Sequence, residues 1–245
     1  AVFEATALGQ IRTAAMSGVG TDWLARVDAA EMAIIGTGKQ ALPQIAAVLA
    51  VRPIRRVRIF SRTPASRENL ATIVRRTFPQ VEVIAPQSMQ EALAGASIVT
   101  LCTNAMQPFY EASMAEPGTH INAVGAIVPA RAEFTDDVFA RCTRIAVDTV
   151  EGVKELSREF IDHFGAGRQS WERVQPISAV IAAGRRRPAD ADLTLFKAMG
   201  MGIADLTIAI EVLKATETID IGRRLPERER QELPLTSRPL PRTLP

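Results

Sequence analysis

Short apolar runs punctuate the chain from residue 31 onward. Met32-Ala33-Ile34-Ile35 is continuously apolar, as expected of a strand covered on both faces. Val57-Arg58-Ile59-Phe60, Val81-Glu82-Val83-Ile84, Ile98-Val99-Thr100-Leu101, His120 to Val124 and Ile145-Ala146-Val147 read as further strands. Helical spacing falls between several of them, over Gln40–Ala50, Ser66–Arg76, Met89–Ala94 and Asp136–Ala140. Strands alternating with helices predict an α/β fold with a doubly wound parallel sheet.

The flanks differ from this middle. Thr6 to Arg26 reads as one helix, with Ile11, Ala14, Ala15, Val19, Trp23 and Leu24 as its apolar stripe. Leu195 to Glu217 reads as a long helix rich in Met, Ile, Leu and Ala, with glycines at 200 and 202 that would let a backbone or ligand approach. Residues 223–245 carry six Arg against three Glu among many prolines, and are expected to be disordered.

Length and composition leave room for a large core: 245 residues, 47% hydrophobic and 23% charged. A net charge of +2 argues against a nucleic-acid binder working through bulk positive charge, and the basic tail supplies more than all of it. Cys102 and Cys142 are too few for a disulfide scaffold or a cysteine-built zinc site, so no metal is expected and a reducing cytoplasm suits the chain. No apolar run approaches membrane-spanning length and no secretory signal opens the chain, so no membrane partner is expected.

The chemistry begins at Gly36-x-Gly38-x-x-Ala41, between the first strand and its helix. There the first glycine permits a tight turn, the second admits a pyrophosphate close to the backbone, and a small third residue lets the helix pack on the sheet. Thr37, Lys39 and Gln40 complete the loop. The helix N-terminus adds partial positive charge. At the tip of the second strand, where NAD-binding sheets usually place Asp or Glu, this chain has Ser61-Arg62-Thr63 with Arg67 nearby. Arg62 can pair bidentately with a 2′-phosphate, so NADP(H) is the expected cofactor and NAD(H) the alternative.

Four segments together resemble the ornithine cyclodeaminase/mu-crystallin family: Ile11-Arg12-Thr13-Ala14-Ala15-Met16-Ser17, Gly36 to Ala41, Ile121 to Ala126, and Leu195 to Leu206. The resemblance covers residues 5–217. It implies a Rossmann domain at 25–205, joined to a substrate and dimerisation domain by the helix of residues 1–24 and by a returning C-terminal helix at 206–222, with the tail beyond. It also implies a homodimer if the N-terminal domain is present. In such proteins hydride passes between nicotinamide and the α-carbon of an amino or imino acid.

The same resemblance gives roles to residues. Arg12 would hold the substrate α-carboxylate, which suits a planar guanidinium. Thr13 would contact a phosphate or cap its helix. Thr103 and Asn104, just past a strand, would meet the nicotinamide ribose, and Val124 and Gly125 would contact the cofactor. Met199 and Gly200 would lie near nicotinamide and substrate. Cyclodeaminases carry an Asp and a Lys where this chain has Ile127 and Arg131. Isoleucine neither accepts a proton nor orients an amine, which disfavours ornithine as substrate. The family also has a segment before the arginine helix that supplies a lysine and a further arginine. The given sequence starts after it and without Met, as a fragment or a truncated descendant would.

Other titratable groups carry blander expectations. His120 reads as a structural histidine, His163 as a loop residue, and Arg185-Arg186-Arg187 as a solvated turn. Glu133 matches a family glutamate, though on the residues alone it only begins the helix at Thr135. Asp148, Lys197 and Asp205 read as structural. The expected activity is NAD(P)H-dependent reduction of small cyclic imino acids, or oxidation of small α-amino acids. The alternatives are ornithine cyclodeamination with recycled NAD, and a crystallin-like protein that binds NADP and a small ligand without turnover.

Overall fold

The computed structural model describes residues 2–167 and 170–219. Helix α1 (Ala5–Leu24) leads into β1 (Glu31–Ile35), α2 (Ala41–Val51), β2 (Arg56–Phe60), α3 (Pro64–Thr77) and β3 (Glu82–Ile84). Then come α4 (Met89–Leu93), β4 (Ile98–Leu101), β5 (His120–Ala123), α5 (Asp137–Arg141) and β6 (Cys142–Val147). The chain continues through α6 (Val150–Leu156), α7 (Arg158–Phe164), β7 (Val174–Pro176), α8 (Ile177–Ala182), β8 (Leu193–Lys197) and α9 (Gly202–Ile219). The expected disorder of residues 223–245, and residues 220–222 of the expected last helix, lie outside the described residues.

The strands form one sheet in the order β3-β2-β1-β4-β5-β8-β6-β7, with every pairing parallel. The expected α/β architecture is therefore present. The chain winds outward from β1 to β3, then returns to lay β4 on the other side of β1. Between β1 and β4 the strand order reverses, which opens a crevice at the carboxyl edge. Period-two alternation assigns the faces: Met32 and Ile34 join the core under α1, α2 and α3, while Ala33 and Ile35 join the core on the opposite face. That second core is closed by Tyr110, Phe134, Phe139, Phe160 and Phe164, all fully buried.

Three expectations are corrected. The helix expected over Leu195–Glu217 is two elements, because Leu193 to Lys197 form β8, buried along its whole length between β5 and β6. A short apolar run does not distinguish a buried strand from a helix by periodicity. The break falls at Gly200, whose φ of +99° no helix adopts, and the helix starts at Gly202.

The stripe expected on α1 is also displaced. Of its members, Ala14 and Leu24 are buried but Ile11 and Val19 are exposed, and Ser17, Gly18, Gly20 and Thr21 complete the inward face. Small residues win there because the helix lies hard against its neighbours: a Cβ on Gly20 would stand 2.5 Å from the Phe196 ring.

The third correction concerns Arg187, which is not in a solvated turn. It donates to Leu24 O, Ala191 O and Thr194 Oγ1 at 3.1, 2.7 and 2.9 Å. Its neighbour Arg186 lies over the Trp23 ring at 4.5 Å.

Candidate functional site

Where the strand order reverses, the loops after β1, β2, β4, β5 and β8 and the start of α1 enclose a cleft of about 1460 Å³. Gly36, at the end of β1, has φ +112°, and a Cβ there would meet the Cys102 carbonyl oxygen at 2.5 Å. Only glycine suits that turn. Thr37, Gly38, Lys39 and Gln40 continue along the cleft wall, and nothing lies within 4 Å of where a Gly38 side chain would stand. The N-terminus of α2 starts at this loop, with Ala41 N donating to Gly38 O at 3.0 Å. A glycine turn, an open approach and a helix N-terminus together fit the pyrophosphate of a dinucleotide. Ala41 does not line the cleft; it is fully buried behind the loop and packs α2 onto the sheet.

At the tip of β2, Ser61, Arg62 and Thr63 line the cleft, and α3 begins immediately after them. Arg62 is exposed and no carboxylate stands among these three residues. Ser61 Oγ donates to Thr63 O at 3.0 Å, so its hydroxyl shapes the turn. Arg67 does not line the cleft: it donates to Ser61 O at 3.1 Å and lies 5.8 Å from the Phe60 ring centre. It supports the turn from behind.

At the other end of the cleft, Arg12 and Thr13 of α1 face Met199 and Gly200 after β8. Arg12 Nε donates to Asp205 Oδ1 at 3.1 Å, and its Nη1 lies where a Cβ on Gly200 would come within 2.6 Å. Asp205 thus engages one edge of the guanidinium and leaves the two Nη groups for another acceptor. Thr13 Oγ1 donates back to Gly9 O at 2.8 Å, within its own helix. Met199 N and Gly200 N both donate to Asp148 Oδ2, at 2.8 and 2.6 Å.

Thr103, Asn104, Val124, Gly125, Ile127 and Arg131 form the wall between these ends. Ile127 is 43% exposed and sits in the cleft lining beside Arg131. Thr103 and Gly125 are held from beneath by Glu133, a fully buried carboxylate that the residue pattern alone only placed at a helix start. Burial pushes its carboxyl up from the usual range, while Lys197 and the N–H donors draw it back. Lys197 itself is fully buried, donates to Ala126 O at 2.6 Å and lies 3.8 Å from Glu159.

Both histidines lie outside the cleft lining. His120 is fully buried in β5, with Nδ1 on Thr194 Oγ1 at 3.0 Å and Nε2 on Asn122 Oδ1 at 3.2 Å. Asn122 passes the connection to Thr21 Oγ1 of α1 at 2.9 Å. Burial holds the His120 imidazole down at about 3, so it serves as a neutral link between sheet and helix. His163, expected in a loop, lies instead in the last turn of α7, where it stacks on Phe139 and pairs with Asp136. Burial pushes the Cys102 thiol up, which makes it a poor nucleophile although it borders the cleft. Among the described residues no group of His, Cys, Asp or Glu could hold a metal ion, and no helix is long and apolar enough to cross a membrane.

Sequence reasoning missed the far wall, formed by Ser88, Met89 and Gln90 after β3 and by Met106, Gln107 and Phe109 after β4. It named the carboxylates Glu133 and Asp148 but gave neither a place beneath the cleft loops, where they accept from Thr103, Gly125, Met199 and Gly200. The fixed glycine motif announced the phosphate end, but these groups reach the cleft only through tertiary contacts.

The pattern of the ornithine cyclodeaminase/mu-crystallin family matches residues 1–218. A Delta(1)-pyrroline-2-carboxylate reductase of Bacillus cereus is 30% identical over 227 residues, spanning 92% of this chain and 69% of that protein. The ketimine reductase mu-crystallin of Macropus fuliginosus is 30% identical over 198 residues, 81% of this chain and 59% of its own length. Among solved structures, the Thermococcus litoralis Delta(1)-pyrroline-2-carboxylate reductase in complex with NADH and L-proline superposes with a TM-score of 0.84 at 28% identity, covering 91% of this chain and 69% of that one. An archaeal alanine dehydrogenase dimer with bound NAD gives 0.81 at 26% identity, covering 91% and 68%.

Proposed function

This chain belongs to the ornithine cyclodeaminase/mu-crystallin family, and from that premise we propose that it is an NAD(P)H-dependent reductase of small cyclic imino acids of the pyrroline-2-carboxylate type. The observation that carries the reading is Arg12, aimed by Asp205 into the cleft opposite the glycine loop, with Ile127 in the same cavity. A cation with two free N–H groups suits an α-carboxylate. An isoleucine offers no partner for a second ammonium, whose burial unpaired would be costly.

The residues fit a dinucleotide laid from Ser61 and Arg62, across the Gly36–Gly38 turn, to Thr103 and Met199. When bound in reduced form, that group supplies the hydride that the imine carbon accepts. The nitrogen enters already protonated from solution, so hydride addition leaves a neutral secondary amine that takes a proton from water. Arg12 fixes the carboxylate and hence the position of the adjacent carbon. The wall of Ile127 and Val124 keeps an apolar ring between clamp and sheet edge. Oxidation of a small α-amino acid is the same step reversed.

NADPH is the proposed preference, supported by the exposed Arg62, the N-terminus of α3 beside it and the absence of a carboxylate at the β2 tip. Assembly as a homodimer is proposed as well, and the exposed Ile203, Leu206, Ile210 and Leu213 of α9 support it.

The test is cofactor absorbance with pyrroline-2-carboxylate, using NADPH and NADH in parallel, beside an ammonia assay on ornithine with NAD. Rapid oxidation favouring NADPH is expected. Ammonia release without net NADH would overturn the reading in favour of a cyclodeaminase, and tight NADPH binding with no turnover on either substrate in favour of a pure binding protein.

A further inference from the structure

The loops after β4 and β5 meet at one buried carboxylate. Glu133 Oε1 accepts from Thr103 N at 2.6 Å and from Thr103 Oγ1 at 2.8 Å. Its Oε2 accepts from Gly125 N at 2.8 Å and from Ala126 N at 3.2 Å. Four donors fill the four lone-pair positions of an ionised carboxylate. The residue is fully buried, so each donor would be left unsatisfied in a dry site without it. The two loops are also pressed together: a Cβ on Gly125 would lie 2.2 Å from Thr103 O and 2.5 Å from Glu133 Oε1. Only a bare backbone fits that spacing. Glu133 N in turn donates to Glu159 Oε1 at 2.9 Å, so the clamp is itself anchored.

Thr103 and Gly125 line the cleft at the end assigned to the nicotinamide, and the inference rests on that assignment. We propose that Glu133 is a positioning residue for hydride transfer, setting the spacing and orientation of the wall formed by Thr103 and Gly125. It touches neither cofactor nor substrate; it acts through those two loops. Because the Thr103 hydroxyl gives its single proton to Glu133, Thr103 has only acceptor capacity left. A wall fixed in this way suits the narrow distance and angle tolerance of a hydride step.

Glu133→Gln tests it, since the amide keeps the shape but turns an NH2 toward donors that need an oxygen. NADPH is compared by calorimetry with adenosine 2′,5′-bisphosphate, which lacks the nicotinamide half. The expected result is an NADPH Kd raised roughly tenfold with the bisphosphate Kd unchanged within about twofold. In turnover with pyrroline-2-carboxylate, kcat should fall by about 10²-fold while KM for the imine moves little.

A general folding defect would shift both Kd values or neither, and either pattern overturns the proposal, as does an unaltered kcat. Should E133Q not fold, Thr103→Val, which removes the hydroxyl that donates to Glu133 and accepts from Ala105 N, is read the same way with a kcat loss of roughly tenfold. If the wild-type chain binds NADPH no more tightly than the bisphosphate, the nicotinamide assignment itself falls and takes this inference with it. Insensitivity of the variants with a functioning wild type sinks the inference alone.

Discussion

Replacing Arg52 by Met should destabilise α1, the helix that carries Arg12. Arg52 follows α2, and its guanidinium is buried against the carboxyl end of α1. Its Nε donates to Arg26 O at 2.8 Å, and its Nη groups donate to Thr21 O, Asp22 O, Ala25 O and Val51 O at 2.6 to 3.1 Å. Asp22 Oδ1 completes the set at 3.1 Å. One side chain therefore caps the last carbonyls of α1, which a helix cannot satisfy itself.

Three of those carbonyls keep a second donor when the guanidinium is removed. Thr21 O retains Ala25 N, Asp22 O retains Arg186 Nη1 and Arg26 O retains Ala29 N. Among the described residues Ala25 O and Val51 O keep none. Two lost bonds from a charged donor cost roughly 1.5–3 kcal/mol each. The ion pair with Asp22, which is partly exposed, adds less than about 1 kcal/mol. The sum is a loss of about 3–7 kcal/mol, read as a lowered urea midpoint with an unchanged slope. Arg52→Lys, with charge but fewer donors in the wrong geometry, should recover about half of it. A loss below about 1 kcal/mol for R52M would show that water serves those carbonyls and that the cap is dispensable.

Two further outcomes follow from single groups. Arg62→Ala should lower kcat/KM with NADPH about tenfold and leave NADH within about twofold, the size of a charge-assisted pair at an exposed site; equal losses with both cofactors would remove Arg62 from the 2′-phosphate. His120 is held neutral at about 3 by burial, whereas an unfolded histidine titrates near about 6.5. The unfolded chain therefore binds the extra proton between those values, so this group's effect is absent above pH about 6.5 and subtracts stability as pH falls below it. Urea unfolding at pH 7 and pH 5 should show wild type losing about 2 kcal/mol more than His120→Gln; parallel losses would mean the buried imidazole is not held neutral.

Legibility in the sequence followed the range of the interaction. The glycine turn after β1 was readable because Gly36, Gly38 and Ala41 act within one loop, where steric demands of neighbouring atoms dictate residue type. β1 and β4 were readable because double-sided burial leaves a short apolar run. β8 was mistaken for the start of a helix, since whether Leu193 to Lys197 extend or coil depends on the slot between β5 and β6. The face of α1 was misjudged for a related reason. Hydrophobicity favoured Ile11 and Val19, but the close approach of Phe196 demanded glycine.

The sequence by itself determined the alternation of strand and helix, the glycine turn after β1, the arginine on α1 and the isoleucine at position 127. Each is a property of one segment and its backbone. Only the tertiary structure decided that Asp205 aims Arg12 from 193 residues away, that Arg52 caps α1, and that Glu133 binds two strand-end loops into one wall. A charged side chain has the same local pattern whether it faces water or the core. What separates the two is the set of donors that the folded chain gathers around it, and no neighbouring residue records that set.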